Sequence, residues 1–425
     1  MRTPPDRPST RPVPAARGVP AALRDLVART EAATPAGRDR AIDGLRALAI
    51  AGVVVGHFMV MALAVRPDGA LRVTSPLIHL PELAPVSWVL QMLGLFFLVG
   101  GYATARSWDR ARASGEPYRR WVAARLGRLG RPVVASTAIL GAALPLLAAA
   151  GVPAGTLRTV AVLVVQPLWF IGVYLVITAL TPVGAAMERR LGVWVAAPPL
   201  VLVAGVDLLR YGPWHADMPG WVAWINIVPG WAFGYLLGIA WTRGHIGRRA
   251  ARVLAAGGLA LAVALVLWFG YPLSMVGVPG DARVNSHPPS LLVLALAAAQ
   301  SGVAILARDR LAALLRRRPA LWTGVALVNL SAMTIFCWHQ IALMLLSGGT
   351  LLLVPSGLPG LHDVPAGPAW VGCRLGWLAV HLVVLGCLVA WARRFESPWT
   401  RLPAAGKAVA LTLAATFAAY CVAVW

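Results

Sequence analysis

The stretch DGLRALAIAGVVVGHF, from Asp43 to Phe58, decides the fold of this chain. Only apolar residues and glycines lie between Arg46 near its start and His57 near its end. The stretch belongs to an apolar run over 42–64, and about 20 such residues are enough to cross a bilayer core of about 30 Å. It therefore predicts a membrane-crossing helix with two polar side chains inside it.

Similar runs recur along all 425 residues, of which 59% are hydrophobic and only 13% charged. Soluble domains carry about a quarter charged residues, so an ordinary soluble globule is excluded. The runs predict an all-α, polytopic membrane helical bundle of 10–11 transmembrane helices, one of them interrupted by Pro198 and Pro199. The approximate spans are 42–64, 86–105, 132–150, 165–187, 191–207, 219–241, 253–271, 290–307, 322–346, 370–392 and 407–425.

The net charge of +22, from 38 Lys and Arg against 16 Asp and Glu, is distributed unevenly over the loops. Alternate loops and the N-terminal arm hold 31 of the basic residues, and the opposite loops hold five. Short cytoplasmic loops accumulate Lys and Arg, so the N-terminus is predicted to be cytoplasmic and the C-terminus, after eleven crossings, to be outside. The charge is thus a topology signal, and no nucleic-acid partner is predicted.

The termini and the cysteines add few chemical signals. Residues 1–40 are rich in Pro and Arg and lack an apolar signal region, so they predict a disordered cytoplasmic arm. The four cysteines lie in or at the edges of apolar spans and are expected to be buried apolar residues. The histidines are scattered, so no metal site is predicted.

Arg46 and His57 are the informative pair, because polar groups inside a membrane span are costly. Eleven helical steps bring the two side chains to within roughly 20° of one another and about 16 Å apart along the helix axis. One stripe would suit a long substrate held at its anionic end by Arg46 and reacting at His57. Alternatively, Arg46 anchors the helix at the membrane surface with Asp43, and His57 is a hydrogen-bonded packing residue.

At this point the chain resembles the acyltransferase-3 family of multi-pass membrane acyltransferases. DGLRALAI followed by His57 is similar to the family's Arg-x10-His pattern in its first helix. The other resembling segments, in order, are FFLVGGYATARSW (Phe96 to Trp108), RLGRLGRP (Arg125 to Pro132), PLWF (Pro167 to Phe170), YPLSMVGVPGDARVNSHPPS (Tyr271 to Ser290) and MTIFCWHQ (Met333 to Gln340). The fifth of these is like a loop in an actinobacterial branch, with His287 in place of Asn.

The resemblance implies an O-acyltransferase domain over 41–400, with 1–40 as the arm and 401–425 as an additional C-terminal membrane helix. It implies transfer of an acyl group, usually acetyl, from cytoplasmic acyl-CoA to a hydroxyl of a glycan, a lipid or a natural product, with O-acetylation at the cell envelope included. No bound cofactor is implied, since acyl-CoA is a co-substrate. The expected location is the bacterial cytoplasmic membrane, with the lipid bilayer as surroundings.

The resemblance also assigns roles to the polar residues. His57 is the expected catalytic base, because an imidazole takes a hydroxyl proton at neutral pH. Arg46 would bind the phosphates of CoA or orient the thioester. Arg125, Arg128 and Arg131 would bind those phosphates, and without the resemblance the alternative is that they anchor the helix at the cytoplasmic surface.

Three further residues are candidates for acceptor binding. Trp169 would line an acyl or sugar pocket, although tryptophan is also common at membrane interfaces. Asn285 lies in an exported Pro/Gly loop, where forming a turn is the alternative. His339 would bind the acceptor or assist His57, unless it is a core histidine bonded to a neighbouring helix.

A proton-coupled secondary transporter or exporter is the alternative function. Eleven spans with embedded Arg and His suit such a protein, but transporters of this kind often show paired half-chain repeats with helices broken at matching places. No such repeat is visible in the sequence. The enzyme is therefore the preferred hypothesis.

Overall fold

The structure is a computed structural model that describes residues 21–67, 69–213, 218–281, 283–396 and 402–424. Its helices are α1 (Ala21–Ala32), α2 (Arg40–Val60), α3 (Pro76–His79), α4 (Val86–Leu90), α5 (Leu93–Ala113), α6 (Tyr118–Ala149), α7 (Ala154–Val165), α8 (Leu168–Ala179), α9 (Thr181–Leu191), α10 (Ala197–Tyr211), α11 (Ile227–Thr242), α12 (Arg248–Phe269), α13 (Leu291–Arg317), α14 (Pro319–Leu330), α15 (Ala332–Leu353), α16 (Pro368–Glu396) and α17 (Ala404–Val424). Strands β1 (Ala62–Val65) and β2 (Leu71–Thr74) form an antiparallel hairpin directly after α2.

Eleven segments of the described chain are long and apolar enough to cross a membrane, which confirms the predicted helical bundle. They are Arg40–Val60, Pro81–Ala113, Tyr118–Ala149, Ala154–Ala179, Thr181–Tyr211, Gly220–Thr242, Arg248–Phe269, Leu291–Arg317, Ala332–Leu353, Pro368–Glu396 and Ala404–Ala423. The side of the membrane on which the N-terminus lies stays a prediction.

Helix α2 lies in the interior of the bundle, packed against α5, α13, α14 and α15. It begins after Asp39, whose carboxylate accepts a hydrogen bond from the Ile42 backbone N–H at 3.3 Å. Arg308 of α13 donates to the same carboxylate at 2.8 Å, which ties the helix start to its neighbour. Such an N-cap stabilises a helix by about 1 kcal/mol, so the position of α2 in the bundle is defined from its first residue.

Glycines allow α5 and α11 to pack closely behind α2. A Cβ at Gly101 would lie 1.9 Å from the Tyr235 carbonyl oxygen, and one at Gly238 would lie 2.0 Å from the Leu98 carbonyl oxygen. Any other residue would therefore separate the two helices, as in the close small-residue contacts of membrane helices. This pair forms a rigid wall behind the segment that carries Arg46 and His57.

Several of the predicted spans are interrupted in the structure, among them the ninth and the fifth. The predicted ninth span, 322–346, is wrong as one helix, because the chain leaves helical geometry at Ser331 and forms α14 and α15 on either side of it. A hydropathy average cannot detect this break, since apolar residues continue through it. The fifth span is interrupted near its proline pair, as predicted. Gly192 has a positive φ angle after α9, and Pro198 and Pro199 lie in the first turn of α10.

The structure also differs from the expectation of a disordered arm over 1–40. Residues 21–32 form helix α1, and Glu31 of that helix pairs with Arg40 at 2.6 Å. Trp322 of α14 donates its indole N–H to Thr34 at 2.9 Å, which ties the segment to the bundle. Residues 1–20 of the predicted arm lie outside the described residues.

Candidate active site

His57, near the end of α2, is hydrogen-bonded to His339 of α15. The Nδ1 atom of His57 lies 2.9 Å from the Nε2 atom of His339. The ring centroids are 4.9 Å apart and the ring planes are inclined by 24°, which fits an edge-to-edge bond between nearly coplanar rings. The structure therefore brings together two of the residues that the sequence suggested.

The partners of the pair define the tautomers of its neutral form. His339 Nδ1 lies 2.7 Å from the Phe336 carbonyl oxygen, which can only accept, so this nitrogen carries the proton. His339 Nε2 then accepts a hydrogen bond from His57 Nδ1–H, so the remaining ring lone pair of the two histidines lies on His57 Nε2. His339 is 1% exposed, whereas His57 is only partly buried. His57 is therefore the member that can exchange a proton with a ligand.

His57 lines a cavity of about 870 Å³. Helix α2 lines one wall from Val53 to Val60, and Met61 directly after it extends this wall, while Trp169, His287 and Phe336 contribute aromatic faces. The volume is near the upper end of ordinary ligand sites, which are about 300–1,000 Å³. A substrate can therefore lie directly against the imidazole.

Two helix breaks provide polar groups at this cavity. Gln91 lies at the break between α4 and α5, and Gln166 lies at the break between α7 and α8, before Pro167. Gln300 of α13 donates to the freed carbonyl of Gln91 at 2.8 Å and to that of Trp88 at 3.3 Å. Broken helices inside a membrane are tolerated where other protein groups satisfy the freed backbone, so these breaks fit the edge of a site.

Arg374 of α16 holds the end of α2, a role that the sequence analysis did not assign. Its guanidinium is 0% exposed and donates to the Phe58 carbonyl at 2.9 and 2.6 Å and to the Met61 carbonyl at 2.8 Å. A further bond of 3.0 Å reaches the Gly360 carbonyl. A cation at a helix C-terminus also opposes the partial negative charge there. An arginine inside an apolar span was the available signal.

Arg46 lies at the other end of α2 and is already paired. Its Nη1 atom lies 3.4 Å from the Asp43 carboxylate and 3.3 Å from Asn329 Oδ1 of α14. Arg46 thus contacts α14 and His57 contacts α15, the next helix along the chain, and their common stripe stays a prediction. Among the described residues the cavity lining includes His57 and not Arg46, so a tunnel joining the two stays a prediction.

The three arginines of α6 lie in one continuous helix and differ in environment. Arg125 is half-buried, with its guanidinium 5.5 Å from the Trp121 ring centre and its Nε atom without a hydrogen-bond partner in the described structure. Arg128 is exposed and donates to the Ala124 carbonyl at 3.2 Å, while Arg131 is half-buried. Donor groups therefore remain available there, and phosphate binding stays a prediction for all three.

The other two acceptor candidates differ sharply. Trp169 lines the cavity, and its ring centre lies 4.6 Å from that of His287. Asn285 is 0% exposed, and its amide donates to the carbonyls of Pro272 and Ser274 at 2.7 and 2.8 Å. Its Oδ1 atom accepts from Ser290 at 2.9 Å, so the amide is committed to shaping the loop, and the geometry favours the turn-forming alternative.

No group of three or more His, Cys, Asp or Glu that could hold a metal ion occurs among the described residues. The fold and the site define a multi-pass membrane protein with a histidine pair at an internal cavity. A family model for an acyltransferase domain matches residues 39–358, and the chain belongs to this acyltransferase-3 family. Searches among curated proteins and among solved structures found no match. The family region begins at the cap of α2 and ends before α16, the helix that supplies Arg374.

Proposed function

We propose that this membrane acyltransferase moves an acyl group, acetyl in the simplest case, from cytoplasmic acyl-CoA to a hydroxyl group of its acceptor. The observation that carries the proposal is the His57–His339 pair at the edge of the cavity. A transferase to an alcohol needs a base where acceptor and thioester meet, and His57 Nε2 is a base with its lone pair available. The proposed location is the bacterial cytoplasmic membrane, with the N-terminus inside.

In the proposed reaction His57 Nε2 takes the proton of the acceptor hydroxyl as its oxygen attacks the thioester carbon. The new carbon–oxygen bond forms, the carbon–sulfur bond breaks, and the departing thiolate receives the proton from His57. While His57 is protonated, its Nδ1–H stays bonded to His339 Nε2, which spreads the charge and fixes the ring. A buried partner plays the same orienting part in serine hydrolases. His339 is therefore a positioning residue.

We assign the other end of the donor to the arginines of α6. Helix α6 packs against α15, the helix that carries His339. Arg125 and Arg128 lie in the first third of α6. An extended donor with its phosphates at Arg125 and Arg128 would direct its thioester toward His57. Guanidinium groups suit phosphates because of their planar, multidentate donors.

The test is consumption of acetyl-CoA by the purified protein in nanodiscs, measured as released thiol, with a panel of alcohols as acceptors. Replacing the base, His57→Ala, is expected to lower kcat by about 10²–10⁴-fold. His339→Ala is expected to lower kcat by about 10²-fold, and His339→Gln by less, because its amide oxygen can still accept from His57. The KM for acetyl-CoA is expected to stay unchanged in all three.

His79→Ala is the matched control, because His79 is an exposed histidine of the short helix α3. It is expected to leave kcat at the wild-type value. Equal rates for wild type and His57→Ala across the panel, with both proteins folded, would remove the base from the mechanism. A failure of wild type to consume any acyl-CoA, with or without acceptor, would count against the enzyme and favour the transporter.

A further inference from the structure

The wall of the cavity beside His57 is almost entirely apolar. Its polar side chains are His57, Ser87, Gln91, Gln166, Ser286 and His287, and no Asp, Glu, Lys or Arg of the described chain lines it. Ser87 is already committed, since it donates to the Ala84 carbonyl at 2.5 Å and accepts from the Met275 N–H at 2.9 Å. A glycan loses many hydrogen bonds to water when it is buried and needs polar groups to replace them. This wall suits hydrocarbon instead.

The rim of the cavity reaches the lateral surface of the bundle. Leu375 of α16 and Val422 of α17 line the cavity and are 53% and 81% exposed, and Val86 of α4 lines it with 51% exposed. Helices α16 and α17 both pack against α6, and only 11% of the most apolar window of α17 is buried. In a bilayer such a surface faces lipid. The cavity therefore communicates with the membrane between α16 and α17.

The cavity does not extend to the arginine end of α2. Its contribution from that helix begins at Val53 and continues through Val60, whereas Arg46 and the arginines of α6 are not among the lining residues. The charged part of acyl-CoA therefore has no partner in this space. The occupant approaches His57 from the side opposite to the donor.

We propose that the acceptor is a membrane amphiphile, an alcohol whose hydrocarbon part fills the cavity and whose hydroxyl lies at His57. It enters sideways from the bilayer between α16 and α17. This inference rests on the proposed acyl transfer and adds to it the chemical class of the acceptor. The reaction balances as above: the hydroxyl proton passes through His57 to the leaving thiolate, and the products are a lipophilic ester and free CoA.

The experiment compares alkyl glucosides that carry one head group and chains from methyl to dodecyl, with acetyl-CoA as donor in nanodiscs. Burying a methylene favours binding, so kcat/KM is expected to rise about fourfold per added methylene until the cavity is filled. Partition into the nanodisc also favours long chains, so variants at the rim separate the two causes. Val422→Trp is expected to lower the dodecyl-to-methyl ratio of kcat/KM at least fivefold.

Matched controls stand on the same helices away from the cavity. Val409→Trp on α17 and Val383→Trp on α16 introduce the same side chain at exposed positions and are expected to keep the wild-type ratio. Leu375→Trp repeats the test from the other side of the opening, in case Val422→Trp does not fold. If partition of the glucosides into the nanodisc alone caused the preference for long chains, every variant would keep the wild-type dodecyl-to-methyl ratio of kcat/KM.

Three outcomes would overturn the inference. If the wild type had equal kcat/KM values for methyl and dodecyl glucoside, the acyltransferase function would stand, but the proposal that the acceptor is a membrane amphiphile would be rejected. A preference for long acyl-CoA over acetyl-CoA that Val422→Trp abolishes would assign the cavity to the donor's acyl chain. Absence of all acyl transfer would overturn the proposed function and this inference with it.

Discussion

Arginines at the two ends of the bundle differ in how far their hydrogen-bond donors are satisfied. Arg374, near the end of α2 that carries His57, is completely buried and gives its donors to backbone carbonyls. Arg125 and Arg128, on the α6 segment that precedes its buried middle, are half-buried and exposed, and the Nε atom of Arg125 has no hydrogen-bond partner in the described structure. The first arrangement shapes a site, and the second leaves donors for a ligand.

Hydrogen-bond saturation separates Arg374 from Arg125 and Arg128 and gives a reason to expect a structural role for the first and ligand binding by the other two. A buried guanidinium is tolerated in an apolar span only when its donors are satisfied, as those of Arg374 are. A buried guanidinium donor that lacks a partner, such as the Nε atom of Arg125 near the exposed Arg128, lowers stability unless a bound anion accepts its hydrogen bond. Mutations at the two ends should therefore affect different measurable quantities.

The largest effect is expected for Arg374→Ala. Removing the guanidinium leaves the carbonyls of Phe58, Met61 and Gly360 without their charged donor, and hydrogen bonds to charged groups contribute about 1.5–3 kcal/mol each. We expect the free energy of unfolding to fall by about 3 kcal/mol or more, seen as a lower Tm in nanodiscs. Arg374→Lys should recover part of the loss, since an ammonium still reaches some of these acceptors.

Arg158→Ala is the control for that measurement, because Arg158 is an exposed arginine of α7. It removes the same charge and is expected to leave the Tm within the error of the measurement. If Arg374→Ala were as stable as Arg158→Ala, the hydrogen bonds from Arg374 to the end of α2 would not stabilise the fold. Arg374 would then not be a structural arginine.

An intermediate effect is expected for the double variant Arg125→Ala plus Arg128→Ala. If these arginines bind the donor's phosphates, the KM for acyl-CoA should rise about tenfold to a hundredfold, because each charge-assisted bond contributes about 1.5–3 kcal/mol. The Tm should change little, since neither side chain holds another helix through a hydrogen bond of the described structure. Steady-state kinetics at fixed ionic strength measures the change.

Arg119→Ala plus Arg120→Ala is the matched double variant, with the same loss of charge at exposed positions about two turns earlier in α6. It separates a specific phosphate site from a general attraction of the anionic donor to this end of the bundle. An equal rise in KM in both double variants would indicate the general attraction and would make Arg125 and Arg128 membrane anchors.

The sequence was sufficient for the number and approximate positions of the membrane helices, because hydropathy reports on each segment by itself. It was insufficient where a helix ends for a local reason, as at Ser331, where the flanking residues are equally apolar. Helix α1 was missed because its stability comes from contacts such as Glu31 with Arg40 and Thr34 with Trp322. Contacts of that kind join segments that a pattern search treats separately.

The candidate site was predictable only in part for the same reason. His57 and His339 stood out as polar residues in apolar spans, but their hydrogen bond depends on how α2 and α15 pack. Arg374 was not singled out from the sequence, since its acceptors are backbone carbonyls that no side-chain motif reveals. Conversely, Asn285 belongs to a resembling motif, yet its amide is used inside its own loop.

The smallest expected effect concerns His287, in the loop between α12 and α13. Its ring lies between Trp169 and Trp224, at centroid distances of 4.6 and 5.4 Å, and burial lowers the pKa of its imidazole below the usual value. The unfolded chain therefore binds a proton more readily than the folded loop does. Below about pH 6.5 this difference lowers the stability as the pH falls, whereas above it both states are neutral and nothing changes.

The variant His287→Phe keeps a ring between the two tryptophans and removes the proton. We expect the drop in Tm between pH 7.5 and pH 5.5 to become smaller in this variant, with little change at pH 7.5. His79→Phe, at an exposed histidine, should keep the wild-type pH dependence. If His287→Phe kept it too, the loop would be accepting the proton without cost, and His287 would be free to carry a charge at the cavity wall.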